Sequence, residues 1–327
     1  MPKVAAWETE AQDPTGALQA GLQAVEARLA SQVESTSGPI KQSARLLLEA
    51  GGKRLRPTLV LLAAQFGDPD RRAVEDVAAA IELLHMATLL HDDVVDDAPV
   101  RRGAPTARSH WGDQVAMSAG DFLFGRALSL LADLPYPQLH LRLARTIVAI
   151  STGELEQLRD LWRTQQGLLR YLRRTRRKTA LLIQSACELG AIVAEVPAPQ
   201  QALLAQYGYA LGMAFQITDD LIDMLGATEE AGKPVGNDLR QGNLTLPVLY
   251  ALWQQPNGWL ARAIGARVEI PIADAVKEID QLGGFAYTLR VALRYQQEAV
   301  AAAEALPTGV WQQMLRRIAQ DVVGRRQ

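Results

Sequence analysis

The chain has 327 residues, nearly half of them apolar and few aromatic, with a formal net charge of −2. Balanced acid and base argue against a nucleic-acid binder, which carries a basic field over one face. The scattered histidines have no zinc-like spacing, and the single cysteine, Cys187, lies in the apolar run SACELGA; no intrachain disulfide can form, which fits a reducing cytoplasm.

The first residues, MPKVAAWETEAQDPTG, lack the apolar h-region of a secretory signal. No apolar run approaches the length that crosses a bilayer, so any membrane contact is expected from the surface. Residues 1–15 are expected to be loosely ordered, ahead of a single domain over 16–327. Leu18, Leu22, Val25 and Leu29 follow the spacing of one helix face. The same period runs through 70–97, 114–133, 138–163, 168–195, 199–225 and 285–305. Pro57, Pro105, Pro135, Pro137, Pro197, Pro199, Pro256 and Pro307 fall between these stretches. ARVEIPI at 266–272 is the one strand candidate. There is no internal repeat and no low-complexity linker. The pattern predicts an all-α fold, one large helical bundle.

Two acidic clusters carry the chemistry. In HDDVVDD, Asp92 and Asp96 are four apart and share a helix face. Helical steps back from Asp92 reach Thr88, His85 and Ile81, a stripe that loses polarity towards its start. In ALGMAFQITDDLID, Tyr207, Leu211 and Phe215 lead by fours to Asp219 and Asp223. A stripe that should face the core thus ends twice in carboxylates, which is costly unless their charge is neutralised. Magnesium suits such pairs, since it takes one or two carboxylates and completes its shell with phosphate oxygens and water. One cluster could be a solvated helix end; two of the form DDxxD point to a diphosphate site.

Basic residues complete that picture. AGGKRLRP places Lys53 and Arg56 in a glycine-led turn before a helix, where cations and backbone amides attract anions. Arg101 and Arg102 follow the first acidic motif, RRTRRKTA carries Lys178 and Thr179, and Lys233 lies in EEAGKPVGND. Arg170, Arg173, Arg174 and Arg177 form one basic face, read as surface.

GGKRLRP, LLHDDVVDDAPVRRG, RRKTA and FQITDDLID followed by GKPVGNDLRQGNLTLP resemble the trans-isoprenyl diphosphate synthases, the polyprenyl synthetase family. The matches keep the family's order from about residue 45 to 250. The resemblance implies the isoprenoid synthase fold, an all-α bundle around a deep apolar cavity, and a homodimer. It implies condensation of an allylic diphosphate with isopentenyl diphosphate. Asp92, Asp96, Asp219 and Asp223 would then bind magnesium, three ions once diphosphate is bound. Arg101, Lys178 and Lys233 would hold the allylic diphosphate, and Lys53, Arg56, His85 and Arg102 the isopentenyl diphosphate. Thr179 and Gln216 would lie beside the allylic carbon. One departure is Asn243 in QGNLTLP, where many relatives carry lysine.

Within that resemblance, chain length can be read below the first motif. Short-chain relatives place bulky aromatics four or five residues before the first aspartate, where this chain has Thr88 and Ala87. One extended isoprene unit is about one 5.4 Å helix turn, so the roughly six turns from Asp92 back to Asp70 suit about seven to nine units. Ile81, Leu84, Ala87 and Thr88 would line the tunnel, with a floor at Met117, Phe122 or Phe124. The expectation is a cytoplasmic long-chain synthase, serving a quinone side chain and touching the membrane peripherally to release product. Rivals are a geranylgeranyl or farnesyl diphosphate synthase, a terpene cyclase, and a non-catalytic regulatory subunit of a heteromeric synthase.

Overall fold

The computed structural model describes residues 13–101, 103–226 and 235–324. Among them the first helices are α1 (Pro14–Glu34), α2 (Gly38–Glu49), α3 (Leu55–Ala64), α4 (Arg71–Val95), α5 (Ala107–Trp111) and α6 (Asp113–Leu131). Next come α7 (Pro137–Asp160), α8 (Leu168–Thr175), a π turn (Arg176–Ala180), α9 (Leu181–Val193) and α10 (Ala198–Leu225). The chain finishes with α11 (Asn237–Arg240), α12 (Leu246–Gln254), α13 (Trp259–Ala266), α14 (Ile272–Gln281), α15 (Gly284–Glu304) and α16 (Val310–Gly324). The one described sheet is a hairpin of two-residue strands, β1 (Val100–Arg101) and β2 (Ala104–Pro105), with Val100 opposite Pro105. ARVEIPI forms no strand; it links α13 to α14. Among the described residues, no helix is long and apolar enough to cross a membrane.

The chain divides into two compact units, and the first 12 residues of the expected loose segment lie outside the described residues. Unit one comprises Met1–Leu143, Ser185–Ala205 and Ala303–Arg316. Its central element is α4, packed against α1, α3 and α6. Residues 73–84 are buried all round that helix, as a helix enclosed by others requires. Three of them are acids, and each is paired: Glu75 and Asp76 receive Arg28 at 3.2 and 2.6 Å, and Glu82 receives Arg54 at 3.0 Å. The buried stripe of α1 runs Ala17, Gly21, Val25, Leu29, Val33, so Leu18 and Leu22 are only half-buried. Gly21 is what admits Leu61 there: a β-carbon on it would stand 3.2 Å from a Leu61 methyl.

Unit two comprises Ala144–Gln184, Gln206–Ala302 and Arg317–Gln327. Its core joins Tyr171, Met213, Ile217, Leu221 and Met224 with Leu246, Leu249, Ile264 and Ile279. The helical period expected over 168–195 is interrupted by the π turn at RRKTA. An extra residue wound into a turn pushes backbone outward, and the neighbours leave room for it. A β-carbon on Gly212 of α10 would stand 2.6 Å from the Ala180 α-carbon, and one on Gly153 of α7 would stand 3.0 Å from the Lys178 nitrogen.

Candidate functional site

In unit one, the last turns of α4 sort the aspartates by face. Asp92 and Asp96 are half-buried, whereas Asp93 is 2% exposed. Asp97 takes the left-handed conformation (φ 52°) and ends the helix. The first strand of the hairpin, ahead of its turn at Gly103 (φ 77°), carries Arg101, whose Nε donates to Asp93 at 2.6 Å. Thr106 and Ser109 lace the returning strand down, donating at 2.8 Å to the carbonyls of Ala98 and Pro99. Asp93 is thus the support of Arg101, and the exposed Asp97 pairs with Arg108.

The glycine-led turn is held by a residue the sequence left without a role. Arg54 sits in the left-handed region (φ 45°) as the N-cap of α3. Its guanidinium pairs with Glu26, reaches Glu82 at 3.0 Å and donates to the Leu48 carbonyl at 3.3 Å. Held at three points, Arg54 fixes the backbone between Lys53, which is exposed, and Arg56, which is half-buried. The helix opens at Leu55, so Arg56 and Pro57 lie in its first turn.

In unit two, Asp219 and Asp223 are half-buried on one face of α10, and Asp220 is 3% exposed. Asp223 accepts from the Asp238 backbone N–H at 3.3 Å. Asp220 takes the Tyr171 hydroxyl at 2.5 Å on one oxygen and the Gln216 amide at 3.0 Å on the other. Thr179, on the π turn, donates to the Gln216 carbonyl oxygen at 2.7 Å. The expected pair Thr179 and Gln216 is therefore brought together, and Lys178 beside it reaches Glu154 at 3.0 Å. Burial, then the Asp238 carboxylate, push the Asp220 carboxyl up to about 7, against the pull of its two hydrogen-bond donors.

Arg174 departs from the surface role expected of it. It is 5% exposed, donates to the Leu244 carbonyl at 2.9 Å and lies over the Tyr171 ring at 5.9 Å. Asn243, the unusual residue in QGNLTLP, ties its own loop together by donating to the Asp238 carboxylate at 3.1 Å. Cys187 is a buried free thiol whose pKa burial pushes up, as a core residue's should be.

Of the remaining expected residues, Ile81, Leu84 and Ala87 are buried and His85, Thr88, Phe122 and Phe124 half-buried. Met117 is 37% exposed. Arg102 and Lys233 lie outside the described residues. No three His, Cys, Asp or Glu side chains among the described residues gather closely enough to hold a metal unaided. Half-buried aspartate pairs, oxygen donors only, nevertheless fit magnesium that draws its other ligands from phosphate and water.

These motifs find their match among known proteins. The polyprenyl synthetase profile fits residues 38–279. The chain belongs to the polyprenyl synthetase family. One relative of this polyprenyl synthetase is heptaprenyl diphosphate synthase component 2 of Geobacillus stearothermophilus, 45% identical, the match covering 91% of this chain and 93% of the relative. Another is octaprenyl diphosphate synthase of Escherichia coli, 32% identical over 97% of both chains. Among solved structures, the polyprenyl synthase of Caulobacter crescentus, complexed with calcium and isoprenyl diphosphate, superposes with a TM-score of 0.90. It is 36% identical, covering 94% of this chain and 96% of that one. This polyprenyl synthetase is accordingly a prenyltransferase with the isoprenoid synthase fold.

Proposed function

We propose that the chain is a long-chain all-trans-polyprenyl diphosphate synthase. It adds isopentenyl diphosphate head to tail onto an allylic diphosphate and stops at about seven to nine isoprene units. The observation that carries this reading is the sorting of the aspartates. Asp92, Asp96, Asp219 and Asp223 stay half-exposed, while Asp93 and Asp220 between them are buried and engaged in support.

The four half-exposed carboxylates would hold magnesium, three ions with diphosphate present. Bound there, the metal supplies the positive charge that a departing pyrophosphate needs. Arg101, Lys178 and Lys233 bind the allylic diphosphate and steady its growing charge. Lys53, Arg56, His85 and Arg102 orient isopentenyl diphosphate, so that its double bond meets the allylic cation as the C–O bond breaks. Thr179 and Gln216 present oxygen lone pairs to that cation. The new bond forms, and a proton passes to the released pyrophosphate, since no side chain of the set is a suitable base. Apolar side chains around the growing chain keep water from the cation.

The small, fully buried Ala87 and the half-buried Thr88 support a long product. The names of the heptaprenyl and octaprenyl relatives agree. Such a product suits a lipid-quinone side chain made in the cytoplasm. We read the enzyme as a homodimer, with Met117 and Leu128 of α6 (37% and 41% exposed) as apolar surface for a partner. A second reading, a subunit needing another component for activity, is favoured by the name of the Geobacillus relative.

The test is to incubate the purified chain with magnesium, farnesyl diphosphate and labelled isopentenyl diphosphate, and to size the products. Products of about seven to nine units are expected, and a chelator should abolish them. A ladder ending at geranylgeranyl overturns the long-chain assignment, and turnover only after adding a second component supports the subunit reading. Ala87→Phe should shorten the products; unchanged length would refute the tunnel.

A further inference from the structure

We propose that Asp220 is a positioning residue that sets which atom of Gln216 faces Thr179. A carboxamide has two nearly equal ends, and its orientation follows from its partners. The Asp220 Oδ1 stands 3.0 Å from one end of the Gln216 amide. With Asp220 ionised, the form its Tyr171 hydroxyl donor favours, a carbonyl at that end would set two acceptors at hydrogen-bond distance with no proton between them. The carboxylate therefore takes the N–H, which turns the Gln216 carbonyl oxygen outward to accept the Thr179 hydroxyl at 2.7 Å.

With its proton committed to Gln216, the Thr179 oxygen offers only lone pairs on its other sides. The result is two adjacent electronegative oxygens, on Thr179 and Gln216. Tyr171 completes the device: it is 2% exposed, and its hydroxyl donates at 2.5 Å to the second Asp220 oxygen, leaving the first for Gln216. Arg174 lies over the Tyr171 ring and fixes it in turn. This inference rests on the proposed function, in which those two oxygens face an allylic cation.

Asp220→Asn tests it: the Tyr171 oxygen is already hydrogen-bonded by Thr175, so its hydroxyl claims the one amide oxygen and leaves the amide nitrogen facing Gln216. At saturating magnesium, kcat should fall about ten- to hundredfold, the cost of mis-set groups at a reacting centre. KM for both diphosphates, the magnesium midpoint and the melting temperature should stay near those of the parent. The charge-conserving swap Gln216→Glu with Asp220→Asn should recover at least tenfold in kcat. In the swap, the amide N–H now at position 220 donates to the carboxylate now at position 216, whose oxygens again accept from Thr179. Unchanged kcat in Asp220→Asn overturns the proposal. So does a shifted magnesium midpoint, which would make Asp220 a ligand, or a swap no better than the single variant.

Whatever the turnover, the Gln216 side-chain amide gives an independent answer by NMR, assigned through its loss in Gln216→Glu. Its N–H should exchange slowly with solvent in the parent and fast in Asp220→Asn; equal exchange in the two overturns the proposal. Failure of the underlying reading looks different. The parent would then show no magnesium-dependent condensation while the amide remained protected.

Discussion

The two aspartate-rich motifs share a pattern and differ in what they do with its middle. In each, the first and fifth residues stay half-exposed on one helix face, and the second residue is buried. In HDDVVDD the buried Asp93 meets a cation, Arg101, carried on the first strand of a hairpin. In ITDDLID the buried Asp220 meets neutral donors, the Tyr171 hydroxyl and the Gln216 amide. One inner carboxylate thus holds a charge in place and the other orients dipoles. The spacing sets which aspartates look outward; the job of the inner one is set by the partner that folding delivers.

The strongest way to break the comparison is to attack its common part. Asp92→Ala and Asp219→Ala should each lower turnover by about 10³-fold, as removal of a group that neutralises developing charge does. Neither should change unfolding free energy by more than about 0.5 kcal/mol, because both side chains are partly solvated. Steady-state rates beside urea unfolding check this. Turnover retained by either variant would mean that the sorting into outward and inward aspartates does not identify the reacting face.

A second way uses two close approaches, one near each motif. A β-carbon on Gly212 would meet backbone, the Ala180 α-carbon of the π turn, whereas one on Gly120 would meet the movable His91 ring. Gly212→Ala should therefore cost about 2–3 kcal/mol by overpacking. Gly120→Ala should cost less than about 1 kcal/mol, since a side-chain shift relieves it. Urea midpoints at constant m separate the two, and equal costs would show that the π turn yields as easily as a side chain.

Much of this was legible in the sequence because it is local. Helical period located α4, α6, α7, α10 and α15 to within a few residues, and the four-residue spacing put Asp92 with Asp96 and Asp219 with Asp223. What the period could not show depends on partners far along the chain. Tyr171 finds Asp220 from 49 residues away, and Arg54 finds Glu82 from 28. Arg174 looked like a solvated member of a basic face; it is buried because the Leu244 carbonyl accepts from it across 70 residues. The π turn likewise leaves no periodic mark, since one extra residue merely shifts the phase of a stripe. Glycines at 153 and 212 were its only trace, and they are informative only once the neighbouring backbone is known.

The finest test of the comparison exchanges each inner aspartate for its neutral isostere and asks only about stability. Asp93→Asn keeps an acceptor for Arg101 but removes the opposite charge from a side chain that is only 17% exposed. A charge-assisted hydrogen bond contributes about 1.5–3 kcal/mol against about 1 for a neutral one, so a loss of about 0.5–2 kcal/mol is expected. At Asp220 the fold works against the charge, since burial pushes that carboxyl up to about 7. Removing the charge there relieves a desolvation cost while forfeiting one good acceptor, and the two nearly offset, leaving a loss below about 1 kcal/mol. Urea unfolding of both variants at neutral pH without magnesium measures the difference. If Asp220→Asn lost as much as Asp93→Asn, the inner carboxylate of the second motif would also be stabilised as a charge, and the contrast between holding a cation and orienting an amide would fall.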